Sequence, residues 1–425
     1  MISRNKEFFL EKYKELDYTF NTYMDTTYEK LVNFSQIRNK PIHRWFYFQE
    51  GYSPELVVKL IKHLDIKNYD FIFDPFAGSG TTLLTAKELG VRSMGFEINP
   101  FSVFMIKAKT TNYNIMDLKL LKEFKIQKYY HIPKVYSKYE LKIIKNLFKK
   151  ENLEKIEIIK KEIKKIKNEK SKNLLFAGLL AILEDVSNYR KGGNGLKRKR
   201  INEDKDPFKE FHLKINQIYE DLIDKPPSIE PIIIQDSCLK MNNYLIEGID
   251  LSIFSPPYAN CFDPFEVYKI ELWIGEFIKS YKELRTLRKL ALPSNLNANL
   301  NKQIKNKGHR FELLNNIIHF LSKKDLWDRR IPKMLDLYFS DMYFLLNSIY
   351  RKTSKGGYCV IVIGNSAYGT LVVPTDIILA QIGKKVGFNV EGIIVARYNE
   401  TSSQQHAKLG ELREYVRESL VVLRK

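Results

Sequence analysis

The stretch Tyr69 to Pro100 reads YDFIFDPFAGSGTTLLTAKELGVRSMGFEINP, and its reading decides the fold. An apolar strand ending at Asp74 runs into a glycine turn, a helix, and a second strand closed by Glu97. Gly78 and Gly80 let the backbone bend tightly and approach a ligand where a side chain would obstruct it. The helix from Thr81 to Leu89 turns its free N-terminal amides toward that ligand. Glu97, about 20 residues beyond the turn, ends the strand VRSMGF, where a carboxylate can hold a ribose diol. The turn departs from the dinucleotide pattern GxGxxG, because the third residue after Gly80 is Leu83, and it lacks the GK[ST] of a phosphate-cradling loop. A neutral or cationic nucleoside fits it better than a pyrophosphate.

A second informative segment, Ile249 to Tyr258, reads IDLSIFSPPY. An apolar run ending in Ser255-Pro256-Pro257-Tyr258 predicts a buried strand that stops abruptly, since proline cannot continue a ladder and fixes φ. In open α/β sheets the carboxyl edge of the strands is where ligands sit.

DPFAGSGTT followed by GFEINP resembles motifs I and II of the S-adenosylmethionine-dependent amino-methyltransferases that modify DNA bases. SPPY resembles motif IV of the same family, whose first residue is Asp or Asn in most adenine N6 enzymes and Ser in most cytosine N4 enzymes. Pro41 to Leu60, PIHRWFYFQEGYSPELVVKL, is similar to motif X, which packs near the methionine end of the cofactor; Pro54 there suits the first turn of a helix. IIIQDS, at Ile232 to Ser237, resembles motif III, and Asp236 lies 19 residues before Ser255. The order X, I, II, III, IV runs without circular permutation.

The resemblance implies a residue set. Asp74, Phe76, Gly78, Gly80 and Thr81 form the cofactor turn, Glu97 meets the ribose and Asp236 the adenine of S-adenosylmethionine. Ser255, Pro256, Pro257 and Tyr258 address the base. The chemistry explains those residue types: an exocyclic amino group is a poor nucleophile because its lone pair is delocalised into the ring. Two acceptors on its hydrogens favour a pyramidal nitrogen, namely the Ser255 hydroxyl and a carbonyl of Ser255 or Pro256 held by the prolines. Tyr258 offers a flat face to a base extruded from the duplex. No metal is required.

Beyond SPPY, the segment YANCFDPFEVYKIELW is expected to line the base and cofactor pocket, with Asn260, Asp263 and Glu271 as polar candidates; a solvated helix face accounts equally for Glu271. KGGYCVIVIGNS, Lys355 to Ser366, predicts a further parallel strand ending at Gly364 and Asn365. Phe388 to Arg397 and Ser419 to Arg424 read as final strands, the last antiparallel. Ala396 to Asn399 is either close to the base or a charged edge strand.

Lys and Arg number 70 against 50 Asp and Glu, a formal +20, a surplus that draws a polyanion through phosphate contacts. YRKGGNGLKRKR puts Arg190, Lys191, Lys197, Arg198, Lys199 and Arg200 on a glycine-containing loop, the expected DNA-backbone contact. The interval from Thr110 to Ile232 is far longer than an ordinary connection in a doubly wound sheet. Its Ile and Leu recur among Lys and Glu at helical spacing over Lys138 to Lys170, and NLLFAGLLAILEDVSNY is an apolar helix too short to span a membrane.

The expected architecture is therefore α/β: a Rossmann-like methyltransferase with a mixed seven-stranded sheet and a large helical insertion. Residues 1–110 hold the N-terminal segment and the first half of the catalytic domain, 111–230 the insertion, a candidate DNA-reading unit, and 231–425 the second half, with a smaller insertion near 279–334 that includes PSNLNANLNKQIKNKGHR. Three scattered cysteines, Cys238, Cys261 and Cys359, and an N-terminus without signal features suggest a reduced cytoplasmic setting. The expected function is methylation of cytosine N4 in double-stranded DNA by a monomer, with a restriction endonuclease as the partner the family suggests and no membrane role. Adenine N6 methylation, RNA guanine N2 methylation and a DNA-binding protein without catalysis stand as the alternatives.

Overall fold

The computed structural model describes residues 2–48, 50–67, 70–126, 129–193, 195–200, 205–304, 308–399 and 408–425. Tyr69, expected to open the first motif strand, and residues 305–307 of the asparagine-rich stretch lie outside them.

The described residues form twelve strands: β1 (Thr22–Met24), β2 (Phe71–Asp74), β3 (Arg92–Phe96), β4 (Tyr189–Gly192), β5 (Gly195–Arg198), β6 (Ile232–Ile234), β7 (Ile249–Phe254), β8 (Thr353–Gly364), β9 (Ser366–Tyr368), β10 (Leu371–Val373), β11 (Asn389–Tyr398) and β12 (Arg417–Arg424). Eight of them make one sheet in the order β1-β11-β12-β8-β7-β2-β3-β6. β2 is parallel to both β3 and β7, β3 to β6, and β7 to β8. β12 runs antiparallel to its two neighbours, β8 and β11. The chain builds outward from β2 through β3 to β6, then returns to add β7 and β8 on the other side. The order reverses between β2 and β7, the place where open α/β sheets bind ligands.

Seven of these strands match the expected sheet; the eighth, β1, pairs parallel with β11 at the edge. Its three residues, Thr-Tyr-Met, are largely exposed, so no apolar alternation announces it. The central strands are apolar on both faces because helices cover both. Phe73, Phe254 and Ile361 pack on one side with the long helix Ile331–Lys352, while Ile72, Leu251, Ile253 and Val360 meet the helix Pro54–His63 on the other.

Residues 111–230 fold mainly as helices, the longest being Lys150–Lys164, Glu169–Ile182 and Pro207–Leu222. Their apolar faces do not close on themselves: they share one core with Trp45, Phe46, Phe101 and Trp273. Two expectations change here. The helical pattern from Lys138 breaks around Tyr139 to Ile143 before the helix Lys150–Lys164 begins, and the basic stretch from Tyr189 is the antiparallel hairpin β4–β5 rather than a loop. Between 279 and 334 lie the helices Tyr281–Leu290 and Glu312–Ser322. No helix among the described residues is long and apolar enough to cross a membrane.

Candidate active site

The glycine turn follows directly from the end of β2. The Asp74 carboxylate accepts the Phe76 N–H at 2.9 Å, which starts the turn, and Gly78 and Gly80 continue it at φ of +52° and +81°, in the left-handed region. A Cβ on Gly80 would stand 2.9 Å from Ile106, so only glycine fits there on both counts. The turn is tied to the neighbouring strand end: the Gly78 N–H donates to Glu97 at 2.9 Å, and the Asn99 N–H donates to the other carboxylate oxygen at 2.7 Å. Burial pushes both Asp74 and Glu97 up to about 7, although each accepts backbone N–H bonds that favour its charged form. Burial also brings Lys109, whose Nζ reaches the Ser79 carbonyl at 3.3 Å, down to about 7.

The proline corner leaves β7 at Phe254, on the same rim. The register Ile72 with Leu251 and Phe73 with Ser252 makes the ends of β2 and β7 neighbours. The Phe76 and Phe254 rings have centroids 5.7 Å apart. A bridge that sequence reasoning missed joins the two corners: the buried Tyr52 phenol lies 2.5 Å from the Thr82 hydroxyl, 3.5 Å from Asp74 and 3.4 Å from the Ile253 carbonyl.

Tyr258 is held at both ends. Its ring lies so close to Gly364 that a Cβ there would come within 2.8 Å, and its hydroxyl donates to Glu418 at 2.7 Å. Burial, aided by the Glu418 carboxylate, raises the phenol pKa well above its ordinary value. Arg397 completes the group with a bond to Glu418 at 2.8 Å. The end of β8 is fixed through Asn365, which bonds Asp376 at 2.8 Å; Asp376 is in turn paired with Arg417 at 2.7 Å. Glu418 and Arg417 sit on β12, more than 150 residues from SPPY, and no local motif points to them.

The segment around Pro41 to Leu60 closes the turn from above. Phe48 stacks on Tyr268, with centroids 4.7 Å apart and planes 4° from parallel, and lies 3.4 Å from where a Gly78 Cβ would stand. Glu50 accepts a hydrogen bond from Tyr268, and burial lifts its carboxyl to about 7.

Asp236 follows β6, beyond Glu97, and its carboxylate accepts bonds from the Ser237 N–H, Lys240 and Tyr244. Asp263 is the N-cap of the helix Pro264–Val267, and Asn260 is exposed. Three expectations need correction. Glu271 is not on a solvated face: it is fully buried and paired with Lys191 at 2.5 Å. Lys191 itself points inward, since the hairpin alternates sides and its inner face must meet Glu271 and Glu184. Lys199 spends its ammonium on the carbonyls of Glu184, Asp185 and Ser187, where the chain leaves the helix Glu169–Ile182. Arg190, Lys197, Arg198 and Arg200 face solvent.

The sheet order and the paired corners are those of a Rossmann-like α/β fold, consistent with a methyltransferase. Comparison with known proteins narrows the class. A family model described as DNA methylase matches residues 3–108. The chain is 29% identical over 465 residues to the Type II methyltransferase M.BsoBI of Geobacillus stearothermophilus, covering 94% of this chain and 89% of that protein. It is 29% identical over 438 residues to the Type II methyltransferase M.AvaI of Nostoc sp., covering 93% and 89%. The Type II methyltransferase M.MvaI of Kocuria varians is 24% identical over 389 residues, 81% of each chain. These likenesses support an amino-methyltransferase of the N4/N6 class.

Proposed function

We propose that the chain methylates the exocyclic N4 amino group of a cytosine extruded from double-stranded DNA, using S-adenosylmethionine. The observation that carries this reading is the adjacency of the glycine turn and the proline corner on one rim. The residues suit this cofactor: a left-handed glycine turn beside the strand end, a carboxylate at Glu97 for a ribose diol, and the Phe48 ring beside Gly78. When bound, it supplies a methyl group already activated on a sulfonium centre.

The chain's own work is then positional. Asp74, Phe76, Gly78, Gly80 and Thr81 shape the turn, Glu97 holds the ribose, and Asp236 accepts from the adenine. The Ser255 hydroxyl and a carbonyl of Ser255 or Pro256 accept the two amino hydrogens, which favours a pyramidal nitrogen whose lone pair is withdrawn from the ring π system and faces the methyl group; the methylated nitrogen then loses its extra proton to water. Pro256 and Pro257 keep those acceptors from swinging away. Tyr258, braced by Glu418 and Gly364, provides the face for the base. Residues 111–230 act as the larger DNA-contacting unit, through Arg190, Lys197, Arg198 and Arg200, while 279–334 flanks the cleft. A monomer acting in the cytoplasm beside a restriction endonuclease completes the proposal; the Type II names of the relatives support the last element.

The substrate class is tested by offering methyl-labelled S-adenosylmethionine with duplex DNA and, separately, with tRNA. Label in the DNA is expected. Label in tRNA with none in DNA would replace this reading with guanine N2 methylation, and cofactor binding without transfer to either would leave a non-catalytic DNA-binding protein.

A further inference from the structure

Of the three tryptophans, Trp45 and Trp273 are almost wholly buried, whereas Trp327 is 70% exposed. Its own segment is anchored without it: the preceding Leu326 is buried, packed against Gly369 at 3.5 Å from its would-be Cβ. Gly369 belongs to the turn of the hairpin β9–β10, which hangs from the carboxyl end of β8, the rim that carries Ser255.

Further contacts fix this segment against the proline corner. Tyr368, at the end of β9, donates to the Ala259 carbonyl at 2.6 Å, and its hydroxyl lies 3.5 Å from the Cys261 sulfur. The Cys261 N–H donates to the Ser294 carbonyl at 3.0 Å, and Arg330 reaches the Leu296 carbonyl at 3.3 Å. The loop Leu326–Arg330 therefore stands beside the chain that leaves Tyr258. Arg330 folds back on Asp328 at 2.7 Å, which neutralises that acid, and Arg329 near Trp327 in the chain is exposed. An exposed indole beside the chain that leaves the proline corner, with Lys323 and Arg329 as well as Asp325 exposed around it, is placed to stack within DNA.

The geometry points to Trp327 as the side chain that enters the duplex and stacks in the space the extruded cytosine vacates, so holding the base in the pocket. This deepens the proposed function and rests on it. Extrusion costs unstacking and unpairing, least when the base is already mispaired. Apolar wedges between base steps offset that cost, and aromatic stacking tolerates any neighbouring base.

The test compares wild type with Trp327→Ala and Trp327→Phe on a duplex carrying a site the wild type methylates, once correctly paired and once with the target cytosine mispaired. Trp327→Ala is expected to lose about 10- to 100-fold in turnover on the paired duplex, the size of one base–aromatic stack, to recover most of it on the mispaired one, and to keep cofactor affinity. Trp327→Phe is expected to lie between. Wild-type tryptophan emission should fall on DNA binding, and that quenching should disappear in Trp327→Phe. Equal turnover of Trp327→Ala and wild type on the paired duplex, or an equal deficit on both duplexes, would overturn the role while leaving the proposed function intact. A wild type that methylates no DNA would overturn both.

Discussion

The Phe76 ring, carried by the glycine turn, lies 5.7 Å from that of Phe254, the residue immediately before Ser255. Two segments some 180 residues apart in sequence are thereby neighbours on one rim, and the proposed function gives the cofactor to one and the base to the other.

That division predicts separable defects. Ser255→Ala should keep cofactor affinity and lose about 100-fold in turnover, comparable to removing one preorganised polar contact to a reacting group. Glu97→Gln, which weakens a charge-assisted bond worth about 1.5–3 kcal/mol, should weaken cofactor binding by about tenfold or more, as read by calorimetry. Equal loss of cofactor affinity in both variants would contradict the assignment.

Cofactor binding should depend on pH. Burial raises Glu97 and Asp74 to about 7, whereas a ribose diol donating to Glu97 favours the carboxylate. Affinity should therefore increase as pH rises toward 7 and level off above it, with proton release on binding below 7. Calorimetry in buffers of different ionisation enthalpy measures that proton; a flat affinity across about pH 5 to 8 would remove Glu97 from the contact.

Gly364 and Tyr258 offer a test of the base face. A methyl at residue 364 would stand 2.8 Å from the Tyr258 ring, although the backbone there is unstrained for alanine. Gly364→Ala should displace the ring, cost about 1–3 kcal/mol of stability as an overpacking change, and lower turnover while cofactor affinity holds. Normal turnover would show that the ring position is unimportant.

The hairpin β4–β5 should respond in two different ways. Neutralising Arg190, Lys197, Arg198 and Arg200 should lower DNA affinity and reduce the salt slope by about 0.9 for each phosphate that no longer meets a cation. Lys191→Met removes the buried ammonium that Glu271 and Glu184 share, which should cost about 3–5 kcal/mol and show as a lower melting temperature. An unchanged salt slope in the fourfold variant would move the DNA to another surface.

The strand, turn, helix and strand around Gly78 were legible because their chemistry is local: glycines at fixed offsets, apolar runs of strand length, prolines where a strand must stop. Tyr52 and Glu418 were not legible, since each acts across the sheet on residues with which it shares no periodic pattern. Lys191 was misread for a related reason. A run of basic residues suggests a solvated surface, but in a hairpin every second side chain faces the opposite side, and one of those sides is the protein core.

The most direct test is to incubate the purified protein with methyl-labelled S-adenosylmethionine and duplex DNA, digest to nucleosides and identify the labelled one, with Ser255→Ala as control. The account predicts label in N4-methylcytosine, with the Ser255→Ala yield reduced by about 100-fold. Label confined to N6-methyladenine, or equal labelling by the variant, would contradict it.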